Sequence, residues 1–226
     1  MEKYFNLAID GPAGAGKSTI AKLVAKELGY IYVDTGAMYR AVALYYINNK
    51  IDVDNEEEVN KLVNDINVEF KIIDANIRLF LNEEDVTDKI RTPEVSDAAS
   101  RVSVHKLVRE RMVAMQQEIA KKNNIVMDGR DIGTVVLPNA DVKIYLTASV
   151  EERANRRYKE NVEKGIDCDL EQIKKEIEER DYRDMHRDIS PLREASDAVH
   201  LDSTGMTIDE EVAYILDFIN NIRNEE

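Results

Sequence analysis

The chain has no tryptophan, one cysteine (Cys168), 4 prolines and 9 glycines in 226 residues. A lone cysteine cannot close an internal disulfide, which fits a reducing compartment, the cytoplasm. So little proline and glycine excludes collagen-like and low-complexity chains. Positive charge is also scarce: 31 Lys and Arg against 45 Asp and Glu leave a net charge of -14. That balance excludes broad binding to nucleic acid or to anionic membranes. The longest apolar runs are strand-sized, so no bilayer span is expected. No basic stretch leads into an apolar one near Met1, so no export signal is expected. What is present is the composition of a core: 43% hydrophobic and 34% charged residues, too many core formers for a disordered chain. At roughly 150 residues per domain, this length gives one domain with an insert or two small ones. Such a chain buries most of its surface without a metal or disulfide staple.

The apolar patterning alternates short runs with helical periods. Tyr4–Asp10 reads as a buried strand that breaks at Gly11-Pro12. A helix over Lys17–Leu28 closes at Gly29. Tyr30–Val33 is a second strand, and Asp34 or Thr35 can cap a helix over Ala37–Asn48. Glu56–Ile66 is a further helix. Strand, helix, strand, helix predicts a parallel sheet with crossover helices. The period then becomes two over Asn67–Ile73 and Asn76–Leu81, joined at Asp74-Ala75-Asn76, which predicts an antiparallel hairpin. Helices follow from Pro93 and over Val104–Lys122, Val150–Lys164, Leu170–Asp188 and Ile208–Ile222. Strands are expected at Ile125–Met127, Val142–Leu146 and Ala198–Leu201. The expected architecture is α/β. A five-stranded parallel core carries helices on both faces, with a small antiparallel β insert at about 66–90 and a helical lid at about 151–188. The core is then 1–65, 91–150 and 189–226.

Gly11-Pro12-Ala13-Gly14-Ala15-Gly16-Lys17-Ser18 fits G-x-x-x-x-G-K-[ST] between a strand and a helix. Glycines let the backbone curl so that its N–H groups face inward onto phosphate. The helix start after Gly16 adds partial positive charge. Lys17 then serves the β- and γ-phosphates, and the Ser18 hydroxyl serves Mg²⁺. A chance match is on the order of one per hundred chains. Two competing signals point to a GTPase: Asn49-Lys50-Ile51-Asp52 and Asp202-Ser203-Thr204-Gly205. Their order is reversed relative to a GTPase, and Asn49 lies at a helix end rather than after a strand.

A kinase needs a second anion site, and the sequence offers one. Thr35 and Arg40 follow the second strand, and Asp128-Gly129-Arg130-Asp131 follows a third. Ligands of doubly wound sheets bind at the carboxyl ends of strands. Arg180, Arg183, Asp184 and Arg187 are spaced to share one helix face. Arg153, Arg156 and Arg157 form a similar stripe one helix earlier. Arginine is the bidentate ligand of phosphate, so two arginine-bearing helices fit a lid over a triphosphate. Asp34 and Asp128 both qualify to support Mg²⁺ through water, and the sequence does not order them. Cys168, His105, His186 and His200 lack ligand spacing and read as structural or exposed.

Six motifs in order resemble the bacterial cytidylate kinases, of the P-loop nucleoside monophosphate kinases. They are Gly11–Ser18, Asp34–Arg40, Ile90–Val95, Asp128–Thr134, Arg180–Asp184 and Asp202–Thr204, spread over essentially the whole chain. The resemblance implies transfer of the ATP γ-phosphoryl group to CMP or dCMP with Mg²⁺, by a cytoplasmic monomer. It implies an ATP site of Gly11, Pro12, Ala13, Gly14, Ala15, Gly16, Lys17, Ser18 and Thr19, with Arg153 and Arg157 from the lid. It assigns Thr35, Arg40, Arg130 and Arg187 to the CMP phosphate. Ser100, Arg109 and Asp131 take the cytosine, and Arg180 and Asp184 the ribose. Lys17, Arg130, Arg157 and Arg187 then act on the transferring group. The chemistry of the base is consistent: a carboxylate accepts from the cytosine N4 amine, where uracil presents an O4 acceptor. Another monophosphate or small-metabolite kinase, such as an adenylate or dephospho-coenzyme A kinase, is the alternative. A P-loop regulatory binding protein is the alternative from another class.

Overall fold

The computed structural model describes residues 4–73 and 76–225. The expected turn residues Asp74 and Ala75 lie outside them. The chain forms two compact units, one built from the chain up to Tyr32 and from Asn123 onward, the other from Val33–Lys122.

The first unit is organised by strand β1 (Asn6–Asp10), followed by the loop and helix α1 (Lys17–Leu28). Gly29 ends α1 in a left-handed conformation (φ 68), and the Tyr30 N–H closes back onto Ala25 O at 2.8 Å. β2 (Ile31–Asp34) leads into the second unit. The remaining strands of this sheet are β6 (Ile125–Gly129), β7 (Val142–Thr147) and β8 (Val199–Asp202). The sheet is parallel, in the order β2-β6-β1-β7-β8. All five residues of β6 are buried, so it is covered on both faces, as expected of an unbroken Ile-Val-Met run. The chain moves to opposite sides of β1 in its first and last crossovers, which makes the carboxyl end of β1 the ligand crevice of such a sheet. There Asp10 stands in register with Gly129 on one side and Tyr145 on the other.

Helices α6 (Val150–Glu163), α7 (Leu170–His186) and α8 (Ile208–Glu225) complete this unit. Ser149 caps α6 through the Glu152 N–H, and Asp169 caps α7 through the Gln172 N–H. Ala154, Ile173 and Ile177 bury the apolar seam between α6 and α7. α7 ends at His186, two residues before the Asp188 boundary that periodicity predicts, and Arg187 is extended (φ -67, ψ 145).

The second unit begins with α2 (Thr35–Asn48), which the Asp34 carboxylate caps by accepting from the Ala37 N–H at 2.7 Å. α3 (Glu56–Leu62) is one turn shorter than expected, because Val63–Asp65 tightens into a 3-10 turn. β3 (Val68–Ile73) and β4 (Asn76–Leu81) pair antiparallel, and β5 (Glu84–Asp85) extends that sheet. α4 (Pro93–Val102) has proline at its first turn behind a Thr92 cap. α5 (Lys106–Ala120) starts after His105, whose Nε2 lies 2.7 Å from Val53 O.

Candidate active site

The phosphate loop leaves β1 through Gly11 at φ 151, where an added Cβ would lie 1.9 Å from Leu146 O. Only glycine lets the loop start this close to β7. The loop then runs into α1 through Gly16 (φ 86), and Lys17 is the first helical residue. Lys17 is 5% exposed, and its Nζ donates to Pro12 O at 2.6 Å. Burial pushes its ammonium well below the usual range, and the Arg130 and Arg180 charges push it further. The Ser18 hydroxyl donates to Asp128 at 2.8 Å, and the Tyr32 hydroxyl donates to the other oxygen of that carboxylate at 2.8 Å.

Asp128 and Asp34 therefore have different surroundings. Asp128 shares a hydrogen bond with the residue expected to meet Mg²⁺. Asp34 is engaged by the α2 N-terminus and by Arg40, whose Nη2 is 3.1 Å away. Among the described residues no three His, Cys, Asp or Glu side chains cluster as a metal cage. One hydroxyl beside one carboxylate fits an ion that keeps most of its water and meets phosphate oxygens.

Behind the loop the D-G-R-D motif presents its cations. Arg130 Nε donates to Asp184 at 2.7 Å. Burial opposes the Arg130 charge, and Asp184 together with Asp128 and Asp181 more than offsets it. Arg180 lies nearby with its Nε buried and without a hydrogen-bond partner. Burial pushes its pKa down to about 10, with the Arg130 charge next in weight. Arg187 donates from Nε to Ser190 O at 2.7 Å, and its Nη2 is 3.5 Å from Asp131. Lys17, Arg130 and Arg180 thus repel one another in a chain of net charge -14, an arrangement that an anion relieves. Arg183, expected on the same face, is exposed.

The three arginines of α6 divide. Arg153 is 4% exposed and locked: it donates to Ala13 O at 2.8 Å, to Ala148 O at 2.8 Å and to Asp181 at 2.6 Å. Asp181 also accepts from the Ala13 N–H at 3.0 Å, so this pair clamps the tip of the phosphate loop. Arg156 is held by Glu152 (3.0 Å), Ser203 O (3.0 Å) and Glu211 (3.4 Å), with its Nη1 3.6 Å from where a Gly16 Cβ would stand. Arg157 is exposed.

In Val33–Lys122, Thr35 is buried at the start of α2. Arg109 is 2% exposed, donates to Ser103 O at 3.2 Å and lies 5.7 Å over the Tyr39 ring. Ser100 O accepts from the Ser103 hydroxyl at 2.8 Å. The GTPase-like residues are used locally: Asn49 and Lys50 form the turn after α2. Asp202 holds the Thr204 N–H and hydroxyl in a local turn. His105 is buried, His186 and His200 are exposed, and Cys168 is partly buried.

Sequence reasoning passed over Asp10 and Asp181. Asp10 is 5% exposed and accepts from the Ile132 and Gly133 N–H groups at 2.8 and 2.7 Å. Burial raises its pKa from 3.8 to about 6, against those two hydrogen bonds. A carboxyl whose folded pKa is raised holds its proton longer in the folded state. Its ionisation therefore removes stability as pH climbs from about 4 to about 6, by about 3 kcal/mol. Urea unfolding of the wild type and of Asp10→Asn should give stability profiles that diverge by about that amount in favour of the variant across this window. Parallel profiles would contradict the reading of Asp10.

Comparison with known proteins places the chain. The family model described as cytidylate kinase matches residues 7–221. The cytidylate kinase of Bacillus cereus (strain B4264) is 52% identical over 222 residues, covering 98% of this chain and 99% of its own. That of Bacillus thuringiensis (strain Al Hakam) is 51% identical over the same shares. Among solved structures, an uncharacterised protein from Eubacterium ventriosum ATCC 27560 matches 96% of this chain and 98% of its own, with a TM-score of 0.53 at 10% identity. That likeness shows a shared fold.

Proposed function

The chain belongs to the cytidylate kinase family, and on that premise we propose that it moves the γ-phosphoryl group of ATP to CMP or dCMP, giving ADP and CDP or dCDP. The observation that carries this reading is the trio Lys17, Arg130 and Arg180 beside the phosphate loop, Lys17 buried and the two arginines half-buried, with Arg180 lacking an acceptor for its Nε. A phosphate oxygen of CMP attacks the γ-phosphorus, and the bond from that phosphorus to the ADP oxygen breaks. Charge on the transferring group and the leaving oxygen must be neutralised, and water kept out.

The loop Gly11–Thr19 cradles the ATP phosphates with its N–H groups, and Lys17 turns from Pro12 O to the β- and γ-oxygens. Arg157, exposed on α6, is available to the donor, whereas Arg153 shapes the loop that receives it. Arg130 and Arg187 meet the phosphate of CMP, with Thr35 and Arg40 assigned to the same group. Asp131 accepts from the cytosine N4 amine, with Ser100 and Arg109 on the remaining base edge. Arg180 and Asp184 serve the ribose. Ser18 and Asp128 would hold Mg²⁺, which when bound neutralises charge on the β- and γ-phosphate oxygens.

Asp131→Asn tests the substrate assignment. The amide keeps the shape but adds a donor that suits a uracil O4. The ratio of kcat/KM for CMP over UMP should fall by a factor worth ~1–3 kcal/mol, mostly through lost CMP activity. An unchanged ratio would move the reading of the base to Ser100 and Arg109.

A further inference from the structure

Asp10 takes no part in the roles assigned above, yet its carboxylate is among the most enclosed in the protein. It is the last residue of β1, and Gly11 of the phosphate loop follows it directly. Both of its oxygens are used. Oδ1 accepts from the Ile132 N–H at 2.8 Å, and Oδ2 accepts from the Gly133 N–H at 2.7 Å. These are the two N–H groups that follow Asp131, at the start of a five-residue π turn, Ile132–Val136. The last two N–H groups of that turn, from Val135 and Val136, fold back on Asp131 O. The backbone on the carboxyl side of Asp131 is therefore gripped by a side chain 122 residues away, on the strand that carries the phosphate loop.

The turn is also closed from outside. A Cβ at Gly133 would lie 3.1 Å from Lys143 Cδ, 3.3 Å from Lys143 Cγ and 3.4 Å from Asp10 Oδ2. The Lys143 stem cannot swing aside freely, because its Nζ is tied to Pro138 O at 2.6 Å and to Asp197 at 2.8 Å. A buried carboxylate serving only as a local cap is a costly way to hold a turn, since burial disfavours its charge. Bidentate capture of two successive N–H groups does something a neutral residue cannot. It fixes two adjacent peptide planes against one strand end.

We propose that Asp10 is a positioning residue that sets the turn bearing Arg130 and Asp131 against the phosphate loop, so that the acceptor is held at the correct reach from the donor. The inference rests on the assignment of Asp131 to the cytosine amine. Displacement of reacting groups by about 1 Å can cost 100-fold in rate, so a residue that fixes this spacing acts on kcat as well as on KM.

The test compares Asp10→Asn, Gly133→Ala and Asp131→Asn with the wild type. The asparagine keeps one acceptor and turns an NH2 against a backbone N–H, releasing one of the two peptide planes. Gly133→Ala leaves every charge in place and forces the same turn outward. Steady-state kcat and KM for CMP and UMP are measured at saturating ATP, and ATP affinity is measured by calorimetry without acceptor. Asp10→Asn should raise the KM for CMP and narrow the CMP/UMP ratio, each about tenfold, and lower kcat, with ATP affinity within about threefold. Gly133→Ala should show the same pattern. Weakened ATP binding with an unchanged CMP KM would overturn the proposal and assign Asp10 to the donor loop alone. If Asp10→Asn does not fold, Gly133→Ala decides: a wild-type CMP KM and ratio would overturn it. If Asp131→Asn keeps the base preference, the reading of the base has failed, and the CMP KM of Asp10→Asn alone decides: raised supports the positioning role, unchanged refutes it.

Discussion

Lys17→Ala is expected to lose on the order of 10³-fold or more in kcat, about 4 kcal/mol of barrier, while losing no stability. The two halves of that result have one origin. The Lys17 ammonium is buried and sits among the like charges of Arg130 and Arg180. Its charge is uncomfortable there, though its hydrogen bond to Pro12 O and the fields of Asp128 and Asp10 favour it. Removing it should leave the unfolding free energy within about 1 kcal/mol of wild type, or raise it. With a triphosphate bound, the same charge faces the oxygens on which negative charge builds. Urea unfolding and single-turnover transfer on the same preparation check both halves. Near-normal turnover in a folded variant would remove the loop from the account.

Asp181→Ala should do the opposite, costing stability first. It strips the buried Arg153 of its carboxylate and leaves the Ala13 N–H without its acceptor. Breaking one side of a buried pair costs about 3–5 kcal/mol, because the remaining charge stays uncompensated. The expected result is a lower urea midpoint with an unchanged slope. Replacing both residues by leucine should recover part of the loss, since no orphan charge remains. A loss below about 1 kcal/mol from Asp181→Ala would show that the clamp on the loop tip contributes little.

These two residues also mark how far the sequence could be read. Gly11, Gly16 and Gly29 announce the loop and both ends of α1, because each occupies a backbone conformation that favours glycine. The central strands β1 and β6 are legible as unbroken apolar runs, and the hairpin as a change of period to two. Asp181 and Arg153 are not legible. They lie 28 residues apart on helices whose charges look solvated, and only packing of α6 on α7 brings them together. Arg187 reads as the fourth member of a helix face, yet α7 stops at His186, and its extended backbone is what brings it toward Asp131. Arg183 keeps the helical spacing and is left exposed. β5 is too short, at two residues, to show any alternation. Asp10 ends an apolar strand, where a carboxylate looks like a boundary rather than an anchor. Its two partners come from a turn on the neighbouring strand, beyond any local pattern.

The central claim, transfer from ATP to a cytidine monophosphate, is tested most directly by one substrate comparison. ADP release is followed at fixed ATP with CMP, dCMP, UMP, AMP and GMP as acceptors, and kcat/KM is taken for each. The account predicts that CMP and dCMP lead, with UMP behind by the ~1–3 kcal/mol that Asp131 supplies. AMP and GMP should fall further behind: a purine amine can also donate to a carboxylate, but the larger ring sets it at a different reach from the phosphate that Arg130 and Arg187 hold. A purine monophosphate turned over as well as CMP, or no turnover of CMP by the folded protein, would contradict it.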